Sequence, residues 1–183
     1  MLRRILELPD PVLREVADPV PTVTPEVEAL VDDMFATMHA NLGIGLAAPQ
    51  VGELLRLVVI ELPPNEKDPQ AGMRYVLINP ELRRLGERES MSEGCLSLPG
   101  FRAMVERAHT ATVTYTGLDG RSARLDAHGL LAQALQHEID HLNGVLFVDH
   151  LDSLDELEQI PPDGLEWVPA PAEEDEDQED TQA

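Results

Sequence analysis

The sequence predicts an α+β fold: antiparallel β-sheets packed around a central helix that carries His-Glu-x-x-His, with a second helix near the N-terminus. Three observations predict it. Leu130, Leu131, Ala134, Leu135, Ile139 and Leu142 recur at helical spacing around His137, Glu138 and His141, and Asn143-Gly144 supplies a stop. His109–Thr116 alternates strictly, with Ala111, Val113 and Tyr115 opposing Thr110, Thr112, Thr114 and Thr116. Gly117-Leu118-Asp119-Gly120 then signals a hairpin that returns through Arg121–Leu125. Strands that run on into one buried helix, with another helix near the start, argue α+β architecture.

Taken in order, residues 9–25 are punctuated by Pro9, Pro11, Pro19, Pro21 and Pro25 and read as an extended lead-in with one helical turn near Val12–Ala17. Thr24 is placed as an N-cap, Pro25 as the first helical residue and Glu26 and Glu28 as first-turn acids. Val27, Leu30, Val31, Met34, Phe35 and Met38 then follow one helix face, closed by Asn41 and Gly43. Gly43-Ile44-Gly45-Leu46-Ala47-Ala48-Pro49-Gln50 is small and apolar; it lacks the Lys-Ser/Thr ending of a phosphate loop and by itself reads as a tight turn between helix and strand. Leu55–Leu62 and Tyr75–Ile78 are β-rich, the second ended by Asn79-Pro80, with a polar loop at Pro63–Gly72 between them. Glu81–Glu89 reads as a further strand and turn, and Phe101–Arg107 as a strand. Beyond the central helix lie an apolar Val145–Val148 segment and a short helix over Ser153–Ile160, stopped by Pro161-Pro162.

The 183 residues are most simply one folded unit, with 43% hydrophobic residues and only 3% aromatic ones, so the core is aliphatic. The net charge of −22 is uneven: residues 125–183 carry 17 acidic side chains and no Lys or Arg. Such a surface repels phosphate backbones and argues against direct nucleic-acid binding. No apolar run is long enough to span a membrane, the N-terminus lacks a signal peptide's apolar stretch, and Cys95 is the sole cysteine. A cytoplasmic protein with no membrane partner is expected.

Residues four apart on a helix share a face, so His137 and His141 converge on one ion, while Glu138 lies about a hundred degrees round the helix, within reach of a water there. That is the geometry of metal-assisted hydrolysis, which needs a third protein donor. In the extended pattern His-Glu-x-x-His-x-x-Gly-x-x-His, Gly144 is in place but the last position is Phe147. Glu158 and Glu166 are downstream alternatives. Cys95, a soft donor in an otherwise apolar segment, is the better one, although a lone cysteine is as readily a small buried hydrophobe.

Three blocks resemble the signature motifs of the peptide deformylases: Gly43-Ile44-Gly45-Leu46-Ala47-Ala48-Pro49-Gln50, Glu93-Gly94-Cys95-Leu96-Ser97 and Gln136-His137-Glu138-Ile139-Asp140-His141. They stand in the family's order at compatible spacing, Pro9-Asp10-Pro11-Val12-Leu13-Arg14 resembles its start, and the similarity covers roughly residues 3–150. The resemblance implies removal of the N-formyl group from formyl-methionyl nascent peptides in a bacterial-type enzyme. It implies that Cys95, His137 and His141 hold one divalent ion, ferrous iron in the typical member, with zinc, nickel or cobalt able to substitute. It further implies that Glu138 is the general base and acid, and that the Gln50 side-chain amide and the Leu96 backbone N–H donate to the developing oxyanion. Ile44 and Gly45 would pair with the substrate backbone, Leu130 and Ala134 would line the methionine pocket, and Glu93 and Arg102 match motif-adjacent substrate-site positions. Two other readings stay open: a zincin-type metallopeptidase, and a non-catalytic formyl-peptide-binding relative.

The expected organisation is a catalytic domain over residues 1–151, a short extension over 152–168 and a disordered acidic tail over 169–183. Nothing basic follows Arg124, which implies transient proximity to the ribosome without a basic docking helix. Deletion of residues 169–183 is expected to leave turnover of short formyl peptides unchanged; a large loss in a formate-release assay would overturn that assignment.

Overall fold

Leu57, Val58, Val59 and Ile60 are fully buried although they are consecutive in one strand. A strand presents alternate side chains to opposite faces, so such a run needs cover on both sides. The computed structural model, which describes residues 1–161, shows what covers it. Val58 and Ile60 join a cluster containing Leu131, Ala134, Leu135, Ile139 and Leu142 of helix α2 (Gly129–Leu142). Leu57 and Val59 join the one containing Leu30, Val31, Met34, Phe35 and Met38 of helix α1 (Pro25–Ala40). Each side chain so buried contributes roughly 1.5–3 kcal/mol.

Eight strands are described: β1 (Gly45–Ala47), β2 (Leu57–Glu61), β3 (Arg74–Leu85), β4 (Arg88–Cys95), β5 (Leu98–Ala108), β6 (Thr110–Thr116), β7 (Ser122–His128) and β8 (Glu158–Gln159). They form a five-stranded sheet in the order β1-β2-β3-β6-β7 and a three-stranded sheet in the order β4-β5-β8, with antiparallel neighbours throughout. The α+β architecture, the antiparallel pairing and both helices agree with the expectation. No described helix is long and apolar enough to cross a membrane.

Three local expectations are corrected. Tyr75–Ile78 does not end at Asn79-Pro80: β3 runs through to Leu85 over a bulge, Ile78 pairing with Thr116 and Glu81 with Thr114. Asn79 takes φ 50°, its N–H bonds Arg56 O (2.8 Å), and its side-chain amide exchanges two 2.8 Å bonds with the Val20 backbone. The bulge thus absorbs a proline that has no N–H to give the ladder. Ser153–Ile160 is not a helix but a 3-10 turn at Leu154–Glu156 followed by β8, which pairs with Phe101 and Arg102 of β5. With so few apolar positions, burial of Leu157 against Ala103, Val105 and Phe147 outweighs helix continuation. Thr24 occupies the N-cap position in extended conformation, yet its side chain makes no capping bond. The expected acidic tail at 169–183 lies outside the described residues.

Helix α2 ends where Gly144 takes φ 70° and comes so close to Arg14 that an added Cβ would sit 2.4 Å from its carbonyl oxygen. In mid-helix, buried Gln136 pins α2 to the end of β5. Its Oε1 accepts from Ala108 N (3.0 Å), and its Nε2 donates to Ala108 O and Ala132 O (both 2.8 Å). Gln136→Ala strands buried backbone groups without partners and is expected to lower the unfolding free energy by ~2–4 kcal/mol. A denaturant midpoint unchanged at constant m-value would refute this.

Candidate metal centre

His137 and His141 lie one turn apart on α2, both buried, with ring centroids 5.0 Å apart at 77°. Cys95 closes β4 at a register shift after Gly94, and its Sγ lies 3.3 Å from His141 Nε2. One ligand atom from each of the three lies within 4.8 Å of the others. Two further N–H groups point at the sulfur, from Ser97 N (3.4 Å) and Gln50 Nε2 (3.6 Å). Of the downstream alternatives, Glu158 is exposed and paired with Arg102 on the three-stranded sheet, and Glu166 lies outside the described residues.

The His137 ring is oriented from behind. Its Nδ1 lies 2.9 Å from Glu93 Oε2, which leaves Nε2 for an ion. Glu93 is in turn gripped by Arg107, Nε to Oε1 at 2.7 Å and Nη2 to Oε2 at 3.1 Å, with both side chains almost completely buried. Arg107 Nη1 continues to Asp140 Oδ2 (2.6 Å), which also meets His150 Nε2 (2.8 Å) near the surface. Burial pushes the Glu93 carboxyl up, but the bonds and charges of His137 and Arg107 outweigh it and hold it down at about 2. Burial also pushes His141 well down, assisted by the charge of His137, so His141 presents a neutral imidazole. His137 is raised well above the ordinary range: burial opposes the proton, and the bonds to Cys95 and Glu93 prevail.

A thiol sulfur and two imidazoles in this arrangement suit a borderline divalent ion, and three protein donors leave a coordination position free. Glu138 follows His137 on the same helix. It is buried, its Oε2 has no protein partner, and burial lifts its carboxyl to about 7 against the opposing charge of His137. An added Cβ at Gly45 would lie 2.4 Å from Glu138 Oε1, so only glycine lets β1 pass beside this carboxylate.

The structure brings most of the sequence-derived residues together. Gln50 is buried on a 3-10 turn after β1; its Oε1 accepts from Ala47 N (2.8 Å), and its Nε2 donates to Ser97 Oγ (3.1 Å) as well as toward Cys95. Leu96 closes over the start of β1, where a Cβ on Gly43 would meet its Cδ1 at 2.7 Å. Ile44 and Leu130, half-buried, and Ala134, buried, belong to one apolar cluster. β1 is the edge of its sheet. Both oxygens of Glu93 are engaged behind His137, by the Arg107 guanidinium and by the ring Nδ1. Arg102 is exposed, pairs in register with Gly94 beside Cys95, and its guanidinium is bonded to Glu158. Arg107, Ser97, Asp140 and His150 were not foreseen. A single Arg between Val105 and Ala108 carries no sequence signal of a partner fourteen residues away.

The chain is similar in sequence and fold to known proteins. The polypeptide deformylase family model matches residues 2–157. A peptide deformylase of Dehalococcoides mccartyi is 46% identical over 164 residues, 88% of this chain and 93% of that protein. The crystal structure of a peptide deformylase from Legionella pneumophila matches with a TM-score of 0.78 at 44% identity, covering 85% of this chain and 89% of that one. A Met-Ala-Ser-bound peptide deformylase from Acinetobacter baumannii matches with a TM-score of 0.77 at 36% identity, covering 82% and 99%.

Glu93→Gln removes the charge that holds His137 while keeping the side chain's shape. Metal retention is expected to weaken about 10–100-fold in competition with a chelator. Retention equal to the parent protein would show that Glu93 does not support the ligand.

Proposed function

The chain belongs to the polypeptide deformylase family, and from that premise we propose that Cys95, His137 and His141 form the metal centre of an enzyme that hydrolyses the N-formyl group of formyl-methionyl peptides. The observation that carries the assignment is the placement of one open carboxylate, Glu138, and one held amide, Gln50, beside three convergent donors. A divalent ion bound there supplies Lewis acidity, polarising the formyl carbonyl and making water nucleophilic near neutral pH. Ferrous iron is the proposed native ion, with zinc, nickel or cobalt as substitutes.

The chain's own residues do the rest. Glu138 accepts the proton from the attacking water at its unpartnered oxygen and delivers it to the amine nitrogen as the C–N bond breaks, so that formate and a free α-amine leave. A carboxyl lifted to about 7 by burial suits both halves of that transfer. Gln50 Nε2 and the Leu96 N–H donate to the oxyanion. The amide hydrogen directed at Cys95 Sγ across 3.6 Å makes the weaker of its two bonds and can be given up to the oxyanion while Ser97 keeps the other. The substrate backbone adds as a strand along β1 at Ile44 and Gly45, and its methionine side chain enters the apolar cluster of Ile44, Leu130 and Ala134. The Acinetobacter baumannii relative is Met-Ala-Ser bound, which supports a methionine-headed peptide as the ligand class. We place the protein in the cytoplasm with nascent formyl-methionyl chains, in transient proximity to the ribosome.

Protein loaded anaerobically with iron, or with nickel, is expected to release formate from formyl-Met-Ala-Ser. Glu138→Ala should retain the ion and lose about 10²–10⁴-fold in kcat. Absence of formate from parent protein shown to hold one ion per chain would overturn the assignment.

A further inference from the structure

Gln50 is aimed by groups that lie outside the metal centre. Its Oε1 is fixed by Ala47 N–H and its Nε2 by Ser97 Oγ, and both side chains are buried, at 2% and 1% exposure. The backbones of the same two residues are tied to one further segment: Leu6 N–H donates to Gln50 O (2.8 Å) and Leu8 N–H to Ser97 O (2.9 Å). Leu6, Gln50, Ser97 and Leu8 therefore form a closed ring, with the Gln50–Ser97 side-chain bond on one side and the chain from Leu6 to Leu8 on the other. That chain is anchored upstream. Arg3 N–H bonds Thr37 Oγ1 (2.9 Å), and the Arg3 guanidinium reaches Asp33 Oδ2 on α1 (2.9 Å) and Glu53 Oε1 just past the Gln50 turn (3.0 Å).

We propose that Ser97 is a positioning residue for Gln50 and that the N-terminal segment Arg3–Leu8 is the strap that fixes the two relative to each other. The inference rests on the reading that the Gln50 amide donates to the oxyanion. A side-chain amide turns about its last bond, and an oxyanion donor that must be reoriented during the reaction loses much of its advantage. Ser97 Oγ takes one of the two Nε2 hydrogens, which sets the amide plane and leaves the other directed into the metal centre. The Ser97 backbone N–H separately serves the Cys95 sulfur, so loss of the hydroxyl leaves that contact in place.

The test is a double-mutant cycle on the metal-loaded protein, with formate release, KM, bound metal and Tm measured for each variant. Ser97→Ala is expected to lower kcat about three- to tenfold, the worth of one neutral hydrogen bond, with KM and metal content unchanged. Gln50→Ala should lower kcat about 10²-fold. Ser97→Ala added to Gln50→Ala should then cost nothing further, because nothing is left to aim. Arg3→Ala, which loosens the strap without touching the centre, should lower kcat in the parent and not in the Gln50→Ala background. Equal losses in both backgrounds, or a fall in Tm or metal content with kcat retained, would overturn the proposal. A Gln50→Ala variant with full kcat would overturn the oxyanion reading itself, an outcome separable from failure of the Ser97 coupling alone.

Discussion

A buried arginine, Arg107, 3% exposed, is the constraint around which this structure is arranged. Arg107 cannot give up its charge, and a buried charge left unpaired costs several kcal/mol. Its planar fork is met by the two oxygens of Glu93 from the neighbouring strand and by Asp140 from α2. Three elements are thereby brought to fixed separations at their polar points, where apolar packing alone would tolerate sliding. The same carboxylate that satisfies Arg107 also holds His137, so the candidate metal ligand inherits its orientation from a structural ion pair. Gln136 adds a neutral clamp between the same helix and strand, pairing with both backbone groups of Ala108.

The rest of the fold brings a polar helix into a dry place. β2 turns Val58 and Ile60 toward α2 and Leu57 and Val59 toward α1, so the larger sheet separates two apolar clusters. The α2 side must also contain His137, Glu138 and His141; the first two meet local devices, and the His141 Nδ1 is buried without a partner. His137 has Glu93 at one nitrogen and the Phe147 ring stacked at 6.1 Å. Glu138 fits against β1 because Gly45 has no side chain. His141 remains a neutral imidazole through burial and the neighbouring positive charge. Oriented donors in a water-poor site need no reorganisation as charge develops, which is the arrangement that hydrolysis of a formamide requires.

What could be read from the residues alone follows the physical range of each signal. Period and punctuation are local, so α1, α2, the β6–β7 hairpin and the stop at Gly144 were legible from Val27 to Met38, from Leu130 to Leu142 and from Thr110 to Gly120. Asn79-Pro80 misled because a proline that usually ends a strand also sits at a bulge, and the Arg56 and Val20 bonds that hold Asn79 come from distant segments. Ser153–Ile160 misled because the side of Leu157 that matters is set by Phe147 and Val105, not by its own neighbours in sequence.

By itself the sequence determined that one helix carries two imidazoles and a carboxylate on adjacent faces, because a four-residue spacing is a property of the helix alone. The motif order, as a resemblance, further implied Cys95 and Gln50 as their partners. Tertiary structure decided that Glu93 stands behind His137, that Arg102 is bonded to Glu158, and that Ser97 and Leu6 to Leu8 enclose Gln50. Each of those outcomes depends on which side of a strand or turn meets another element. That is set by register and by the need to pair buried charge, neither of which leaves a periodic trace along the chain.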